Sequence, residues 1–175
     1  MPVEKGMPLC PAAVVIAKPK RDKWCLEEAW DLAAVLGGYV RSTPFPGVYL
    51  VMGSETNYKR TILDVVRDYR FSFASRLVVP KICASVEETD VESIIASRLA
   101  SSRIRSPVRL IVALRGKSKK YIRKNIILNK LNVKLDRSSS FIIDIEGVDD
   151  LVLASWGDAK KCGYGCLLVG YDTEI

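Results

Sequence analysis

The amino-acid sequence predicts a mixed α/β protein of the α+β kind, formed by two domains in succession. Short apolar runs typical of buried strands alternate with segments whose apolar residues recur at helical spacing. The 175 residues are enough for one medium domain or two small ones. The composition, 49% hydrophobic and 27% charged, is that of a soluble globular protein, and apolar runs of about seven residues are too short to span a bilayer.

The first part of the chain, after a loose tail over residues 1–11, has the element order of a ferredoxin-like sandwich. That fold runs strand–helix–strand–strand–helix–strand. Gly37-Gly38 is a strong stop for the first helix, and the Pro-Gly turn in "TPFPG" separates two strands that are expected to pair. The predicted elements are strands over 12–17, 39–43, 48–52 and 71–79 and helices over 23–36 and 57–68. We predict a ferredoxin-like domain over residues 12–74.

The second domain is predicted over residues 75–175, with Pro80 near the seam between the two. It begins with a helix whose apolar stripe includes Val91, Ile95 and Leu99. The elements expected after it are a strand over 108–114, a basic helix over 118–130 and strands over 141–146, 150–156 and 164–171. Strands and helices therefore alternate in this half as well.

A strand followed by Gly116-Lys117-Ser118 and a helix resembles the start of a nucleotide phosphate loop. Such a loop needs a second glycine five residues before Gly116, so that backbone N–H groups can close around a phosphate. Ile111 occupies that position. The sequence therefore predicts no nucleotide cofactor. Gly116 is expected to allow a tight turn, and Ser118 to cap the helix that follows.

The positive charge of the chain is concentrated in one block. Arg103 to Arg137 contains twelve basic residues and one acidic residue, whereas the rest contains fifteen basic and nineteen acidic residues. Laid out at helical spacing, one half of residues 118–130 is basic and the other half, with Tyr121, is expected to pack on the core. This pattern favours a surface for a polyanion, contacted through its backbone. The alternative interpretation is a solvated, lysine-rich helix.

The predicted RNA-binding residues follow from this block. They are Arg115, Gly116, Lys117, Ser118, Lys119, Lys120, Arg123, Lys124, Lys130 and Arg137. Four cations near the start of the first helix could extend the surface, or could equally form a solvated loop. They are Lys18, Lys20, Arg21 and Lys23.

The residue types argue against catalysis. The chain has no histidine, so the usual general base is missing, and no metal site is expected. Asp144 and Glu146 alternate with isoleucines, a pattern typical of a solvent-facing strand edge, and Asp149-Asp150 is expected in a hairpin turn. We therefore expect no catalytic residues, no cofactor and no enzyme activity. The N-terminus lacks the apolar core of a signal peptide, which favours a cytoplasmic protein.

The five cysteines are irregularly spaced and do not form a disulfide framework pattern. We interpret them as small buried apolar residues. The chain also has no glutamine and four asparagines. Depletion of these amides is a hyperthermophile signature, and in such organisms a disulfide between Cys162 and Cys166 would be permitted inside a cell.

Two stretches carry a family resemblance. The segment 108–156, with "VKLDRSS" at 133–139 and "FIIDIE" at 141–146, resembles the core of a THUMP domain, although serine replaces the family's usual proline near Ser138 or Ser139. "FPGVYLV" (45–51) and residues 75–100 are similar to the stand-alone THUMP proteins that act as adaptors for tRNA cytidine acetylation. THUMP domains commonly follow a ferredoxin-like domain, the order predicted above.

The resemblance implies an α/β THUMP domain that binds tRNA near its acceptor end. It further implies that the chain presents tRNA to a separate modifying enzyme, most closely a tRNA cytidine acetyltransferase. By position, the family's basic turn and helix correspond to Arg115, Lys117, Lys119, Lys120 and Arg123. The alternative is a regulatory or protein-interaction subunit whose basic face contacts an acidic partner instead of RNA.

Overall fold

The protein, seen in a computed structural model, is described over residues 10–54, 58–87 and 90–172. The chain divides into two compact units. One, here the N-terminal unit, contains Cys10–Pro80 and the chain from Asp158 onward. The other, here the central unit, contains Lys81–Gly157. Among the described residues, no helix has the length and apolar character needed to cross a membrane.

The N-terminal unit is a six-stranded sheet with two helices. Its elements are β1 (Ala13–Ala17), α1 (Asp22–Val35), β2 (Tyr39–Ser42), β3 (Val48–Met52), α2 (Tyr58–Asp68), β4 (Ala74–Val78), β9 (Lys160–Gly163) and β10 (Cys166–Val169). The strand order is β2-β3-β1-β4-β10-β9. β1 pairs antiparallel with both β3 and β4. The first four strands and the two helices therefore have the element order and the strand pairing of a ferredoxin-like arrangement.

Local sequence explains how the first helix is built and where it ends. Cys25, Ala29, Leu32 and Ala33 recur at helical spacing and are buried in the core of the unit. The helix ends because Gly37 follows in the left-handed region, at φ 67°, where a side chain would be strained.

The central unit is a four-stranded sheet with helices. Its elements are β5 (Ile82–Ser85), α3 (Val91–Ser101), β6 (Arg109–Arg115), a 3-10 helix (Gly116–Lys120), α4 (Lys124–Leu131), β7 (Phe141–Val148) and β8 (Leu151–Asp158). The strand order is β5-β8-β7-β6, with β6 parallel to β7. This mixed α/β architecture is consistent with an α+β THUMP-like fold, so the predicted fold class is confirmed.

The last two strands, β9 and β10, lie in a different sheet from the one the sequence indicated. Residues 158–175 were assigned to the second domain, but β9 and β10 extend the N-terminal sheet. β10 pairs in parallel with β4, with Leu168 opposite Leu77. An apolar run shows that a strand is buried, but not which distant strand it joins. The predicted boundaries, 12–74 and 75–175, therefore differ from the two compact units.

The prediction for Asp144 and Glu146 is wrong. β7 lies inside the sheet between β8 and β6, and both side chains are fully buried. The alternation with Ile143 and Ile145 therefore separates two covered faces of the sheet instead of a buried and a solvated one. Asp149 does lie in the turn between β7 and β8, in the left-handed region at φ 55°.

The cysteines are not all unlinked. Cys162 and Cys166 form a disulfide across the turn between β9 and β10. The sequence allowed this bond in a protein from a hyperthermophile. The interpretation of every cysteine as a plain buried residue is therefore wrong for this pair, and it is also wrong for Cys10, which is exposed, and for Cys83, which is half-buried. Cys25 is free and buried, as expected. Burial, followed by the charges of Glu28 and Asp22, raises the pKa of the Cys25 thiol to about 12.

Candidate nucleic-acid interface

The basic segment is not the single helix that the sequence predicted over 118–130. The 3-10 helix ends at Lys120, and α4 begins at Lys124. Between them Arg123 is extended, at φ −115° and ψ 109°. Its backbone N–H donates to Glu92 Oε2 at 2.7 Å, so it is held by the first turn of α3. The helical-wheel positions assigned to the lysines therefore do not hold across this break.

Two of the predicted RNA contacts have a structural role. Gly116 has φ 68° and allows the turn out of β6, as expected. Ser118 is completely buried and lies inside the 3-10 helix, whose N-cap is Arg115, so it is not the N-cap that was predicted. Its Oγ accepts from the Arg115 N–H at 3.1 Å and donates to the Arg115 carbonyl at 2.9 Å. A buried hydroxyl with both partners inside the protein cannot contact RNA.

Three of the predicted cations are paired with carboxylates. Arg115 Nη1 lies 2.7 Å from Glu146 Oε2, Lys117 Nζ lies 3.2 Å from Glu87 Oε1, and Arg123 Nη2 lies 2.9 Å from Glu92 Oε1. The Arg123 hydrogen bond lowers the pKa of the Glu92 carboxyl. The hydrogen bond to Glu87 raises the pKa of Lys117. These carboxylates offset much of the charge that the sequence assigned to the surface.

The other five predicted cations are exposed, and none has an ion-pair partner within 10–54, 58–87 and 90–172. They are Lys119, Lys120, Lys124, Lys130 and Arg137. The first four lie on the 3-10 helix and α4, and we call them the basic strip. Because Ser118 points into the core, the neighbouring lysines of the 3-10 helix point outward.

Arg137 lies away from the 3-10 helix. The bridge between Val108 and Leu135 places this part of the chain beside the start of β6, whereas the 3-10 helix follows its end. The seven residues of β6 separate the two by roughly 20 Å. The structure therefore does not bring Arg137 together with Lys119 and Lys120.

One aromatic residue within the basic segment was assigned wrongly. Tyr121 was expected in the core, but its side chain is 48% exposed. It closes the 3-10 helix by donating its N–H to the Ser118 carbonyl at 3.1 Å. An exposed ring between lysines is a group on which a base can stack.

The candidate extension residues belong to the N-terminal unit, in and after the loop that follows β1. Lys20, Arg21 and Lys23 are exposed. Lys18 is half-buried, and its Nζ donates to the carbonyls of Ser72 at 2.7 Å and Tyr164 at 2.6 Å. It is thus a structural tether as well as a cation. Whether the other three contact RNA stays a prediction.

Metal-binding geometry is absent from the described part of the chain. No three His, Cys, Asp or Glu side chains come together there in a way that could hold an ion. Two carboxylates of this region, Glu87 and Glu92, already bind Lys117 and Arg123.

The two units and the basic strip define a protein of α+β THUMP-like fold that carries a cationic surface. No family model and no curated protein matches the chain. Among solved structures it is similar to PH1313 from Pyrococcus horikoshii Ot3, with 12% identity and a TM-score of 0.51 over 86% of this chain and 55% of that one. This likeness supports the fold.

A second similar structure is that of a 4-thiouridine synthetase in complex with RNA and bound ATP. The identity is 19% and the TM-score is 0.47, over 91% of this chain and 43% of that one. The chain therefore spans about half the length of the two solved proteins, at 55% and 43%.

Proposed function

We propose that this protein binds tRNA through the basic strip and acts by binding, without a reaction of its own. The observation that carries the proposal is the exposure of Lys119, Lys120, Lys124 and Lys130, none of which has an ion-pair partner within the described residues. Cations outside ion pairs are available for phosphates, whose neutralisation supplies most of the affinity of sequence-independent nucleic-acid binding. The resemblance to THUMP domains supports tRNA as the nucleic acid.

The strip is long enough for several phosphates. The 3-10 helix has five residues and α4 has eight. At about 2.0 Å and 1.5 Å per residue, each element is roughly 10–12 Å long. Contacts from lysines along this length fix the position of an RNA backbone but do not read its sequence. This mode suits a folded RNA recognised by its shape.

The finer proposal is that the bound tRNA is presented to a separate cytidine acetyltransferase. It is supported by the similarity of residues 45–51 and 75–100 to stand-alone adaptors of that reaction. The N-terminal unit could then orient the tRNA or dock the enzyme. An acidic protein partner of the basic strip is the competing possibility, and the same experiments distinguish it.

The first experiment is a salt titration of tRNA affinity. We expect log K to fall against log salt with a slope of about 0.7–0.9 per phosphate contacted. The variant Lys119→Glu/Lys120→Glu removes two contacts, so the slope should become shallower by about 1.4–1.8, and affinity at 0.1 M salt should fall by at least roughly 25-fold. Arg123 is left intact because its backbone and guanidinium hold Glu92.

The matched control reverses two exposed arginines of the N-terminal unit, as Arg41→Glu/Arg67→Glu. It makes the same change in net charge, and it should keep most of the affinity. If Lys119→Glu/Lys120→Glu binds tRNA as the wild type does, the strip is not an RNA surface. The adaptor role has a separate test, in which the protein is added to a tRNA acetyltransferase from the same cell and acetylcytidine is measured. No stimulation would remove the adaptor role and leave tRNA binding.

A further inference from the structure

A second cationic surface lies at one end of the sheet of the N-terminal unit. β1 ends there, and the adjacent strands β4 and β10 begin there, since Arg76 pairs with Ile16 on one side and Leu167 on the other. Three loops meet at this end and form an open cleft of about 520 Å³. The lining residues are Lys18, Arg70, Phe71, Ser72, Lys161, Gly163 and Tyr164.

Tyr164 has the most exposed large hydrophobic side chain among the described residues, at 94%. It sits on a turn whose two ends are joined by the disulfide between Cys162 and Cys166. The Phe71 N–H also donates to the Cys162 carbonyl at 2.9 Å. The ring is therefore open to solvent while its backbone is held. A side chain so exposed contributes nothing to the core, and a fixed backbone reduces the entropy lost when a ligand stacks on it.

The backbone of this turn packs closely on the neighbouring loop. A Cβ at Gly163 would overlap the Phe71 backbone and lie 2.9 Å from its nitrogen, so a side chain is excluded. Lys18 adds a second link, through its hydrogen bonds to the Ser72 and Tyr164 carbonyls. Its Nζ lies 5.7 Å from the centroid of the Tyr164 ring. The ammonium group has three N–H donors, and two carbonyl bonds leave one N–H available.

The charge of the cleft is positive. Arg70 and Lys161 are exposed, and neither has an ion-pair partner in the described ranges. The acid behind the loop is Glu28, which is 5% exposed. Its carboxylate accepts the backbone N–H groups of Ser72, Phe73 and Ala74, at 2.6, 2.7 and 2.9 Å. Its hydrogen-bonding capacity is thus used by the protein.

We propose that this cleft binds an unpaired nucleotide of a bound RNA, with the base stacked on Tyr164 and its phosphate beside Lys18, Arg70 and Lys161. A nucleotide combines a flat π face with an anion, and the cleft offers one exposed ring and three cations within one volume. An acidic peptide would use the cations but leave the ring without a function. The inference rests on the proposed RNA binding. It adds a requirement that the basic strip does not have, namely an unpaired base in the bound RNA.

The test compares three RNAs that share one hairpin. The first has a blunt end, the second carries a short single-stranded extension, and the third carries an abasic extension of the same length and charge. We expect the wild type to bind the second more tightly than the third, by about 5- to 150-fold for one stacked base. Tyr164→Ala should lose this difference and keep its affinity for the blunt hairpin. Tyr164→Phe should keep both, because it retains the ring.

The matched control is Tyr39→Ala. Tyr39 is a 51% exposed tyrosine on β2, the opposite edge strand of the same sheet. It should behave as the wild type does. A fluorescent 2-aminopurine in the extension gives a direct measurement, since stacking on Tyr164 should quench it in the wild type and not in Tyr164→Ala. Because Tyr164 is exposed, its replacement leaves the fold intact.

The outcomes separate this inference from the proposed function. Blunt-hairpin binding with no preference for the base-containing extension, or a preference that survives Tyr164→Ala, would overturn the inference alone. Failure to bind any of the three RNAs and tRNA would overturn both. An acidic peptide that displaces the extension from wild type and Tyr164→Ala alike would assign the cleft to a protein partner. A free nucleoside monophosphate competing as well as the extended hairpin would assign it to small nucleotides.

Discussion

Glu28 offers a sharp test of how the cleft loop is held in place. Its carboxylate lies on the buried face of α1 and accepts three consecutive backbone N–H groups from the start of β4. Oε2 binds the Ser72 N–H, and Oε1 binds the N–H groups of Phe73 and Ala74. Glu28→Gln keeps the size of the side chain and removes the charge and one acceptor oxygen.

The expected loss follows from these bonds. If the glutamine oxygen retains Phe73 and Ala74, its NH₂ group faces the Ser72 N–H, and two donors then oppose each other. Losing one charge-assisted hydrogen bond and weakening two others should lower the free energy of unfolding by about 2–3 kcal/mol. Glu28→Ala leaves all three N–H donors without this partner. Because water can reach the exposed Ser72 and replace the lost bond there, the expected cost is limited to about 3–5 kcal/mol.

The assay is guanidinium unfolding combined with amide hydrogen exchange at Ser72, Phe73 and Ala74. The control is Glu27→Gln, the exposed neighbour on the same helix, which should change stability by less than about 0.5 kcal/mol. If Glu28→Gln unfolds within that same margin of the wild type, with unchanged exchange at the three amides, the carboxylate does not organise the loop. Reduced preference for the unpaired extension in this variant would link loop order to the cleft.

Three further perturbations test other parts of the structure. A hydrogen bond from Arg123 lowers the pKa of Glu92 below its ordinary value. The stabilising effect of this carboxylate is therefore complete above the ordinary value and is lost as pH falls through the folded-state pKa, so Glu92→Gln should flatten the stability of the central unit against pH there. Gly147→Ala would place a Cβ 2.6 Å from the Ser118 Cβ. This overlap should lower the free energy of unfolding by about 1–3 kcal/mol, measured by thermal unfolding, and should weaken tRNA binding. The double variant Gly147→Ala/Ser118→Gly should recover part of both losses. Cys162→Ser/Cys166→Ser opens a short closed loop and should lower the free energy of unfolding by about 2 kcal/mol, measured by chemical unfolding. It should also reduce stacking of a base on Tyr164. No change in either measurement would contradict the role given to the disulfide.

The ferredoxin-like part could be predicted because its signals are local. Gly37-Gly38 ends α1, a Pro-Gly turn separates β2 from β3, and β1 and β3 are short apolar runs. The site of β10 could not be predicted in the same way, because its parallel partner β4 lies about ninety residues earlier, as Leu77 and Leu168 show. Periodicity identifies an element, whereas pairing depends on the packing of the whole unit.

The same limit explains the misassigned helix. Residues 118–130 have the composition of one basic helix, and nothing within them indicates a break at Arg123. The break depends on Glu92, a buried carboxylate 31 residues earlier that takes the Arg123 N–H and guanidinium. Asp144 and Glu146 were misassigned for a related reason, because an alternating pattern cannot show that both faces of a strand are covered.

Counter-charges from distant parts of the chain decide which cations of the block can bind a ligand. Arg115 is committed to Glu146, which is fully buried, and breaking such a buried pair is costly. Lys117 is different, because both it and Glu87 are more than half exposed, and such a pair contributes little to stability. A phosphate can therefore replace Glu87 as the partner of Lys117 at small cost. The cations then form a series of increasing availability, from Arg115 through Lys117 to the basic strip, and this order follows from where each carboxylate lies and not from the count of basic residues.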